Sequence, residues 1–337
     1  MPDAEMRERI KAYPGSLTFQ DLIRKNRRDS AALMVVMVVL AVAIGGVIAS
    51  AIVVYAGGAP DMETLLPSIA LGCAAALVAA ILGTLWSWYG GASAILMMSG
   101  AREVQKPSDP QLFNVVEEVA IAAGLPMPRV YLIDDTAMNA FATGRDPRHG
   151  AVAITRGLRE KLTRDELQGV MAHEMAHIRH LDIRFAMLMA TMVGLIVFAC
   201  DAFLRVAWYS GRRGGRRSGG KGGGGAVAVL LIVALVLAVV APLVARIIQM
   251  AYSRQREYLA DAGAVELTRN PLGLASALQK LAGDEEPLVD TANRGTAHMY
   301  IVNPLRKMRE SHQSISSVFL SHPPVKERVA RLLALAR

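Results

Sequence analysis

The segment TRDELQGVMAHEMAHIRH, from Thr163 to His180, has the clearest helical pattern in the polar part of the sequence. Thr163 and Glu166 have the spacing of a capping box, in which each side chain accepts a hydrogen bond from the other residue's backbone at the start of a helix. Apolar residues then recur at helical intervals. The segment therefore predicts one helix that carries the motif HEMAH near its C-terminal end.

The two histidines of this motif, His173 and His177, are four residues apart. On a helix this spacing places them on one face, about one turn and roughly 6 Å apart, so both imidazoles can reach a single zinc ion. Glu174 is then placed to take a proton from a water molecule that the zinc ion activates. A surface helix with two solvated histidines is the alternative, and it would be favoured if the five-residue match stood alone.

A catalytic zinc ion needs a third protein ligand, and the segment SRQREYLAD, which ends at Asp261, offers one. Ile183 occupies the position of the third histidine in metzincin-type enzymes, so the sequence excludes that subclass. Glu257 and Asp261 are four residues apart on a predicted helix. One of them can bind zinc while the other accepts a hydrogen bond from a ligand histidine. The alternative is a solvated acidic helix face.

Four apolar runs indicate that the chain is a membrane protein, and hydrophobic residues make up 53% of its 337 residues. No charged residue occurs between Ser30 and Pro60 or between Thr64 and Ala101, so both stretches are long enough to span a bilayer. The third run, Phe185–Cys200, is short and is followed by charged residues. The fourth, Ala226–Ala245, is long enough to span.

The charges around these runs predict the topology. Basic residues precede the first run and acidic residues follow it, so the positive-inside rule predicts a cytoplasmic N-terminus. The same rule would keep the basic glycine-rich loop Ser210–Gly225 in the cytoplasm. However, His173 and Glu257 flank the third and fourth runs and must meet at one metal ion, so either both runs cross the membrane or neither does. We predict that both cross, which gives four spans, with the third run extended to Tyr209 and Asp201 and Arg205 facing protein or the interface.

The residues from Arg102 to Ile183 have the composition of a mixed globular domain. A helix is predicted at Pro110–Gly124, with Ser108 or Asp109 as its cap, and short strands are predicted at Arg129–Asp134 and Gly150–Thr155. Two later segments also have a helical pattern, and they are Ala275–Leu281 and Lys326–Leu335.

Four motifs together resemble the HtpX-like family of bacterial membrane metallopeptidases, which is related to the CAAX prenyl endoproteases. They are HEMAH, NAFATG (Asn139–Gly144), SRQREYLADAGA and SHPPVKERVARL. The resemblance covers most of the chain, and the basic glycine-rich loop and the charged residues after the third run depart from it. It implies one Zn²⁺ ion per subunit, bound by His173, His177 and Glu257, with catalysis by Glu174. It also implies a multi-pass protease of the bacterial inner membrane that acts on damaged or misfolded membrane proteins and unfolded polypeptides.

The expected fold is a mainly α membrane protein, with about four transmembrane helices and a cytoplasmic gluzincin-like α+β metalloprotease domain. The active site is expected on the cytoplasmic side. The expected segments are a cytoplasmic N-terminal segment (1–30), two transmembrane helices (31–101), the first part of the protease domain (102–183), the third and fourth apolar runs (184–250) and the second part of the protease domain (251–337).

The resemblance also implies roles for two late residues. His322 would stabilise the oxyanion that develops on the peptide carbonyl, and Arg328 would bind the site or the substrate. The alternative is a turn at the start of a helix, with Arg328 as a surface charge. Asn139 and the strand near 151–155 are predicted to form a sheet edge that pairs with an extended substrate, or else ordinary sheet and turn. We expect His180 and Asp182 to be capping or surface residues.

Several other functions are less consistent with the sequence. The net charge of +8 arises from basic residues beside apolar runs, so we expect no nucleic-acid partner. The glycine-rich loop lacks a P-loop ending, so we expect no nucleotide. Charged residues around HEMAH argue against an intramembrane protease. A chaperone or scaffold with a structural zinc site would have no use for Glu174. A protease that processes prenylated peptides remains an alternative.

Overall fold

The computed structural model describes residues 19–57, 61–213, 224–283 and 323–336. Within these residues the chain divides into two compact units. The first comprises the described residues of the ranges Met1–Ser30, Trp88–Met187 and Met250–Arg337, and the second those of Ala31–Ser87 and Leu188–Gln249. Residue 322, the predicted oxyanion-stabilising histidine, and most of the glycine-rich loop lie outside the described residues.

Helices account for most of the described chain. In order they are α1 (Phe19–Gly57), α2 (Met62–Met98), α3 (Pro110–Ala123), α4 (Arg156–Lys161), α5 (Arg164–His180), α6 (Asp182–Arg213), α7 (Gly224–Thr268), α8 (Pro271–Gly283) and α9 (Val325–Leu335). The strands are β1 (Arg102–Glu103), β2 (Arg129–Ile133), β3 (Ala140–Thr143) and β4 (Ala151–Thr155).

The four strands form one sheet in the order β1-β2-β4-β3. β2 runs parallel to β4, and β3 runs antiparallel to it. β4 lies between β2 and β3, and all five of its residues are buried because its successive side chains enter two different core clusters. The two predicted strands are therefore present, but the prediction that the strand near 151–155 forms an edge is wrong. β3, which the sequence did not predict, pairs with that side of β4.

The helix α3 begins and ends as its sequence predicts. The side chain of Asp109 accepts a hydrogen bond from the Leu112 backbone N–H at 3.0 Å, and Pro110 follows as the first helical residue. This contact identifies Asp109, rather than Ser108, as the cap. Gly124 ends the helix in the left-handed region at a φ of 65°, which favours a residue without a Cβ.

The helix α5 has the predicted capping box at Thr163 and Glu166. It packs against α3 and α8, and α8 packs against α9. Gly169 of α5 lies against the backbone of α8, since a Cβ atom there would lie 2.7 Å from the backbone nitrogen of Leu274. This close approach fixes α5 in the core, where its buried apolar neighbours include Leu112, Val116, Leu274 and Leu278.

Three helical stretches are long and apolar enough to span a membrane by length and composition. They are Arg27–Val54, Met62–Met98 and Asp182–Arg205. The first two match the first two predicted runs. The third is longer than the predicted run because the helix continues past Asp201 and Arg205, which form an ion pair at 2.8 Å one turn apart. Such pairing reduces the cost of placing the two charges at a membrane.

The fourth predicted run lies in α7. The described side chains there identify an apolar helical stretch only at Ala234–Ala245. The membrane character of the fold and its small α/β part agree with the expected fold class. The number of four spans and the boundaries of the five segments stay predictions.

Small residues bring the first two apolar helices together within the second unit. A Cβ atom on Gly45 would lie 2.5 Å from the Ala76 Cβ and 2.6 Å from the Gly72 carbonyl oxygen. The reverse contact is equally close, since a Cβ atom on Gly72 would lie 2.4 Å from the Gly45 carbonyl oxygen. Backbones that approach this closely are typical of helix pairs in membranes, where packing replaces the hydrophobic effect.

Candidate metal centre

Both histidines of HEMAH lie on the same side of α5. Their ring centroids are 4.7 Å apart and the rings are nearly perpendicular. His173 is fully buried, whereas the side chain of His177 keeps 16% of its exposure. The helical spacing that the sequence predicts therefore places two imidazoles side by side, with one at the edge of solvent.

Glu257 of α7 completes a triangle with the two histidines. The Nε2 atoms of His173 and His177 are 3.2 Å apart, and each lies 3.6 Å from a Glu257 carboxylate oxygen. Ligand atoms bound tetrahedrally to zinc at about 2.0–2.2 Å lie roughly 3.3–3.6 Å from one another. The two nitrogens and one carboxylate thus have the chemistry and the spacing of a zinc site. Among the described residues, these three form a group that could hold a metal ion.

The Nδ1 atom of each histidine, on the ring side away from Glu257, lies next to an aspartate carboxylate. The Nδ1 atom of His173 lies 3.0 Å from Asp261 Oδ1, and the Nδ1 atom of His177 lies 3.0 Å from Asp182 Oδ2. When a carboxylate accepts a hydrogen bond from Nδ1–H, the proton stays on Nδ1 and the Nε2 lone pair can point to the candidate metal position. The predicted hydrogen bond between Asp261 and a histidine of the motif is therefore present.

Two buried arginines bind these carboxylates. Arg328 of α9 donates to both oxygens of Asp261, at 2.9 and 2.7 Å, and its Nη1 atom lies 3.1 Å from Glu257 Oε2. Arg256 of α7 donates to Asp182 Oδ1 at 2.8 Å. Because Arg328 is fully buried, the alternative that it is a surface charge is wrong. Its predicted role in binding substrate stays a prediction.

The electrostatics of the cluster favour a bound cation. Burial alone would lower the pKa of His173, but its hydrogen bond to Asp261 and the neighbouring Glu257 carboxylate raise that pKa to about 9. The carboxylates therefore attract positive charge to the position between the ligands, as a metal ion would require. Burial raises the pKa of Glu174, which is 2% exposed and lies next to His173 in sequence. A raised pKa makes a carboxyl group better able to return a proton to a leaving amine.

Asn139 lies apart from this cluster in sequence, directly before β3. It is buried, its backbone N–H donates to Thr155 Oγ1 at 2.9 Å, and its carbonyl accepts from the Thr155 backbone N–H. These bonds connect β3 to β4, and β3 packs against α5. The predicted role of Asn139 in substrate binding stays a prediction.

The sequence analysis missed Asp182 and Arg256, and the expectation that His180 and Asp182 are capping or surface residues is wrong. His180 is 2% exposed and Asp182 is 4% exposed. Burial lowers the pKa of His180 to about 4, so its imidazole is neutral at physiological pH. A signal was present for Asp182, which stands five residues after His177 and just beyond the helix end. The sequence alone could not identify this contact, because it depends on the direction in which the chain continues after Leu181.

Comparison with known proteins agrees with this geometry. The family model described as peptidase family M48 matches residues 107–336. A protein named "Protease HtpX homolog" from Lactobacillus helveticus is 38% identical over 310 residues, which are 92% of this chain and 97% of the relative. Another of that name, from Thermodesulfovibrio yellowstonii, is 45% identical over 79% of this chain and 89% of its own length.

A similar solved structure is the crystal structure of Ste24p from S. mikatae. It is 19% identical in sequence and has a TM-score of 0.44, and the match covers 75% of this chain and 56% of Ste24p.

Proposed function

This chain belongs to peptidase family M48 and is a membrane zinc metalloprotease, and from that premise we propose that one Zn²⁺ ion per subunit is held by His173, His177 and Glu257. The observation that carries the proposal is the group of two imidazoles and one carboxylate, in which the two Nε2 atoms are 3.2 Å apart and each lies 3.6 Å from a different oxygen of Glu257. Three protein ligands leave a tetrahedral ion one open position, which is the arrangement of catalytic rather than structural zinc sites.

When bound, zinc lowers the pKa of a water molecule and polarises the carbonyl of the peptide bond. Glu174 is the proposed general base, which takes a proton from the attacking water and passes it to the leaving amine. Its position beside His173, its burial and its raised pKa support this role. Asp261 is proposed to orient His173 through the hydrogen bond at Nδ1.

Two further residues are proposed to act on the substrate. His322 is proposed to share the negative charge that develops on the peptide oxygen. Arg328, six positions later, is proposed to bind the substrate or the site. Its ion pairs with Asp261 and Glu257 support binding to the site. Both proposals come from the resemblance of SHPPVKERVARL to HtpX-like enzymes.

The sheet offers a place for an extended substrate. β3 stands at one end of the strand order, so one of its edges has no strand partner among the described residues. Strand addition at such an edge is a common way to bind an unfolded polypeptide. We assign Asn139 to this subsite because it precedes β3 directly and anchors it to β4.

The proposed substrates are damaged or misfolded membrane proteins and unfolded polypeptides, and the proposed location is the bacterial inner membrane with the site facing the cytoplasm. Relatives named as HtpX proteases and the three apolar helices support this assignment. The charge pattern supports the orientation, since basic residues precede the first span.

Metal analysis of the purified full-length protein, combined with cleavage of an unfolded protein such as reduced casein, tests the proposal. We expect one Zn²⁺ ion per chain, loss of cleavage after removal of the metal with a chelator, and recovery of cleavage on addition of Zn²⁺. Cleavage that is insensitive to chelation, or a protein that binds no Zn²⁺, would contradict the proposed site.

A further inference from the structure

Asp182 bridges a proposed metal ligand and an arginine with different oxygens. Its Oδ2 atom lies 3.0 Å from Nδ1 of His177. Its Oδ1 atom accepts a hydrogen bond from Arg256 Nε at 2.8 Å and forms an ion pair with Arg256 Nη2 at 2.7 Å. Asp182 is 4% exposed and Arg256 is 6% exposed. The Arg256 guanidinium also lies 4.5 Å from the centre of the Phe185 ring. Arg256 thus fixes the Asp182 carboxylate through Oδ1. Because the aspartate is buried, water competes little for the contact between Oδ2 and His177.

The chain reaches this arrangement through an uncommon backbone conformation. Leu181 joins α5 to α6 with a φ of 65°, in the left-handed region that leucine rarely adopts. This turn ends α5 directly after His180 and begins α6 at Asp182, so that the aspartate faces back to His177. Non-glycine residues keep such conformations where the surrounding contacts fix them, and these places are often functional sites.

The other histidine has the same arrangement from different parts of the chain. His173 is hydrogen-bonded to Asp261, and Asp261 is bound in turn by the two nitrogens of Arg328. Each proposed histidine ligand therefore has one carboxylate on Nδ1, and each carboxylate has one buried arginine. An arginine that fixes the carboxylate restricts the orientation of the imidazole, and such partners beyond the ligands tune metal affinity.

We propose that Asp182 and Arg256 are a positioning pair for the metal centre. Asp182 sets the tautomer and the ring orientation of His177. Arg256 connects that aspartate to the segment of α7 that carries the next residue, Glu257. Two ligands from distant parts of the sequence are then held in one geometry. The inference rests on the proposed function, because it assumes that His177 and Glu257 bind Zn²⁺.

A second ion pair provides a matched control. Arg179 of α5 lies 3.4 Å from Glu266 of α7, so it connects the same two helices, but both side chains are partly exposed and this pair lies outside the ligand group. If a salt bridge between these helices were enough, removal of either pair would have the same effect on zinc affinity. If the function of the Asp182–Arg256 pair is to position His177, only removal of that pair will change the zinc affinity.

The test measures the affinity of the full-length protein for Zn²⁺ in detergent, by competition with a chromogenic chelator. We expect Asp182→Asn to weaken Zn²⁺ binding about ten- to a hundredfold, and Glu266→Gln to change it less than about twofold. The melting temperature of the metal-free protein is measured in parallel, because a purely structural role would lower that temperature without weakening Zn²⁺ binding. A Zn²⁺ affinity of Asp182→Asn within about twofold of the parent would overturn the inference.

Coupling between the two residues is the second measurement. Arg256→Gln should also weaken Zn²⁺ binding at least about tenfold. The double variant Asp182→Asn with Arg256→Gln should bind no more weakly than the weaker single variant, because the two residues act as one unit. Additive losses would mean that Arg256 does not act through Asp182 and would overturn the pair. The double variant removes both buried charges, so it also replaces Asp182→Asn in the affinity test if that single variant does not fold.

These outcomes separate the inference from the proposed function. A parent protein that binds no Zn²⁺ would contradict the proposed metal site. A parent that binds Zn²⁺ and a variant at Asp182 that binds it equally well would contradict the positioning pair alone.

Discussion

At the scale of single residues, the candidate centre is a buried network in which cationic and anionic side chains alternate. Two imidazoles and Glu257 form the inner group, Asp261 and Asp182 bind the imidazoles, and arginines bind the aspartates. Isolated buried charges are costly, and removal of one partner from such a network commonly costs about 3–5 kcal/mol. The network therefore restricts the proposed ligands to one arrangement, although buried ion pairs in general add little to net stability.

Glu257 and Asp261 should have distinct effects on the metal. Glu257→Ala removes a proposed ligand, so we expect the purified variant to lose bound Zn²⁺ and activity together. Asp261→Asn keeps a hydrogen-bonding side chain but loses the charge that orients His173, so Zn²⁺ binding should weaken roughly ten- to a hundredfold. Atomic absorption and chelator competition measure both. Unchanged zinc content in Glu257→Ala would remove that residue from the site.

The sequence predicts the part of this centre that depends on local spacing. His173, Glu174 and His177 are recognisable because a helical repeat of about 3.6 residues places positions four apart on one face. The contacts of Arg256 and Arg328 are not predictable in this way, because their partners are 74 and 67 residues distant. Asp182 was missed for a different reason, since its position depends on the left-handed conformation of Leu181.

At the scale of elements, α5 is held by a close backbone contact and by a buried carboxylate. Gly169 allows the backbone of α8 to approach, and Glu166 accepts hydrogen bonds from Ser276 and Lys280 of α8 at 2.6 and 2.7 Å. The ligand-bearing helix is therefore fixed at its first half, before the motif. The sequence predicted the capping box of α5. It did not predict that α5 packs on α8, because nothing in the local sequence around Gly169 indicates which distant segment will contact it.

Gly169→Ala should destabilise the protein. The added Cβ would lie 2.7 and 2.9 Å from backbone atoms of Leu274, which cannot move aside like the end of a side chain. We expect a loss of roughly 1–3 kcal/mol, larger than the gain in helix propensity. Gly283→Ala in α8 is the control, because no heavy atom of the described residues lies within 4 Å of the new Cβ. Equal melting temperatures for the two variants would contradict the close approach.

Glu166 should make stability depend on pH. Burial alone would raise the pKa of Glu166, but hydrogen bonds from Lys280, Ser276 and Thr163 lower it from 4.5 to about 2. The carboxylate therefore contributes its full stabilisation above about pH 4.5, and this contribution is lost as the pH falls towards 2. Glu166→Gln should cost roughly 1–3 kcal/mol at pH 7, with a deficit that shrinks below pH 4.5.

Thermal melts of the parent and of Glu166→Gln between pH 7 and pH 3 measure this difference. Glu160→Gln is the control, since Glu160 is exposed and lies 3.7 Å from Arg156. A deficit for Glu166→Gln that is constant across the pH range would show that the charge of the carboxylate is not the source of the stabilisation.

At the scale of the whole molecule, three long apolar helices make the chain a membrane protein, and large apolar side chains such as Leu71 and Phe198 are each 72% exposed. Exposed apolar surface of this kind is suited to contact with lipid. Composition predicted this class well, because the apolar runs are long and local. The third run by itself is short and spans only if it extends past Asp201, and in the structure the helix continues past that residue, which pairs with Arg205.

The topology prediction has a direct test. If the third and fourth runs both cross the membrane, a cysteine placed at Gly219, in a variant with Cys73 and Cys200 replaced, should react with an impermeant thiol reagent outside intact spheroplasts. A cysteine placed at Ser16, in the same background, should react only after lysis, because the N-terminus is predicted to be cytoplasmic. Reaction of the Gly219 variant only after lysis would contradict the four-span prediction.

The central claim is that the HEMAH motif is the catalytic centre of a zinc protease, and Glu174→Gln tests it most directly. The amide cannot accept a proton, while the three proposed ligands are unchanged. The measurement is the rate of casein cleavage per bound zinc ion, for the parent and the variant. We expect Glu174→Gln to keep one Zn²⁺ ion per chain and to lose activity by about a hundred- to ten-thousandfold. A zinc-loaded Glu174→Gln that cleaves casein at nearly the parent rate would contradict the claim.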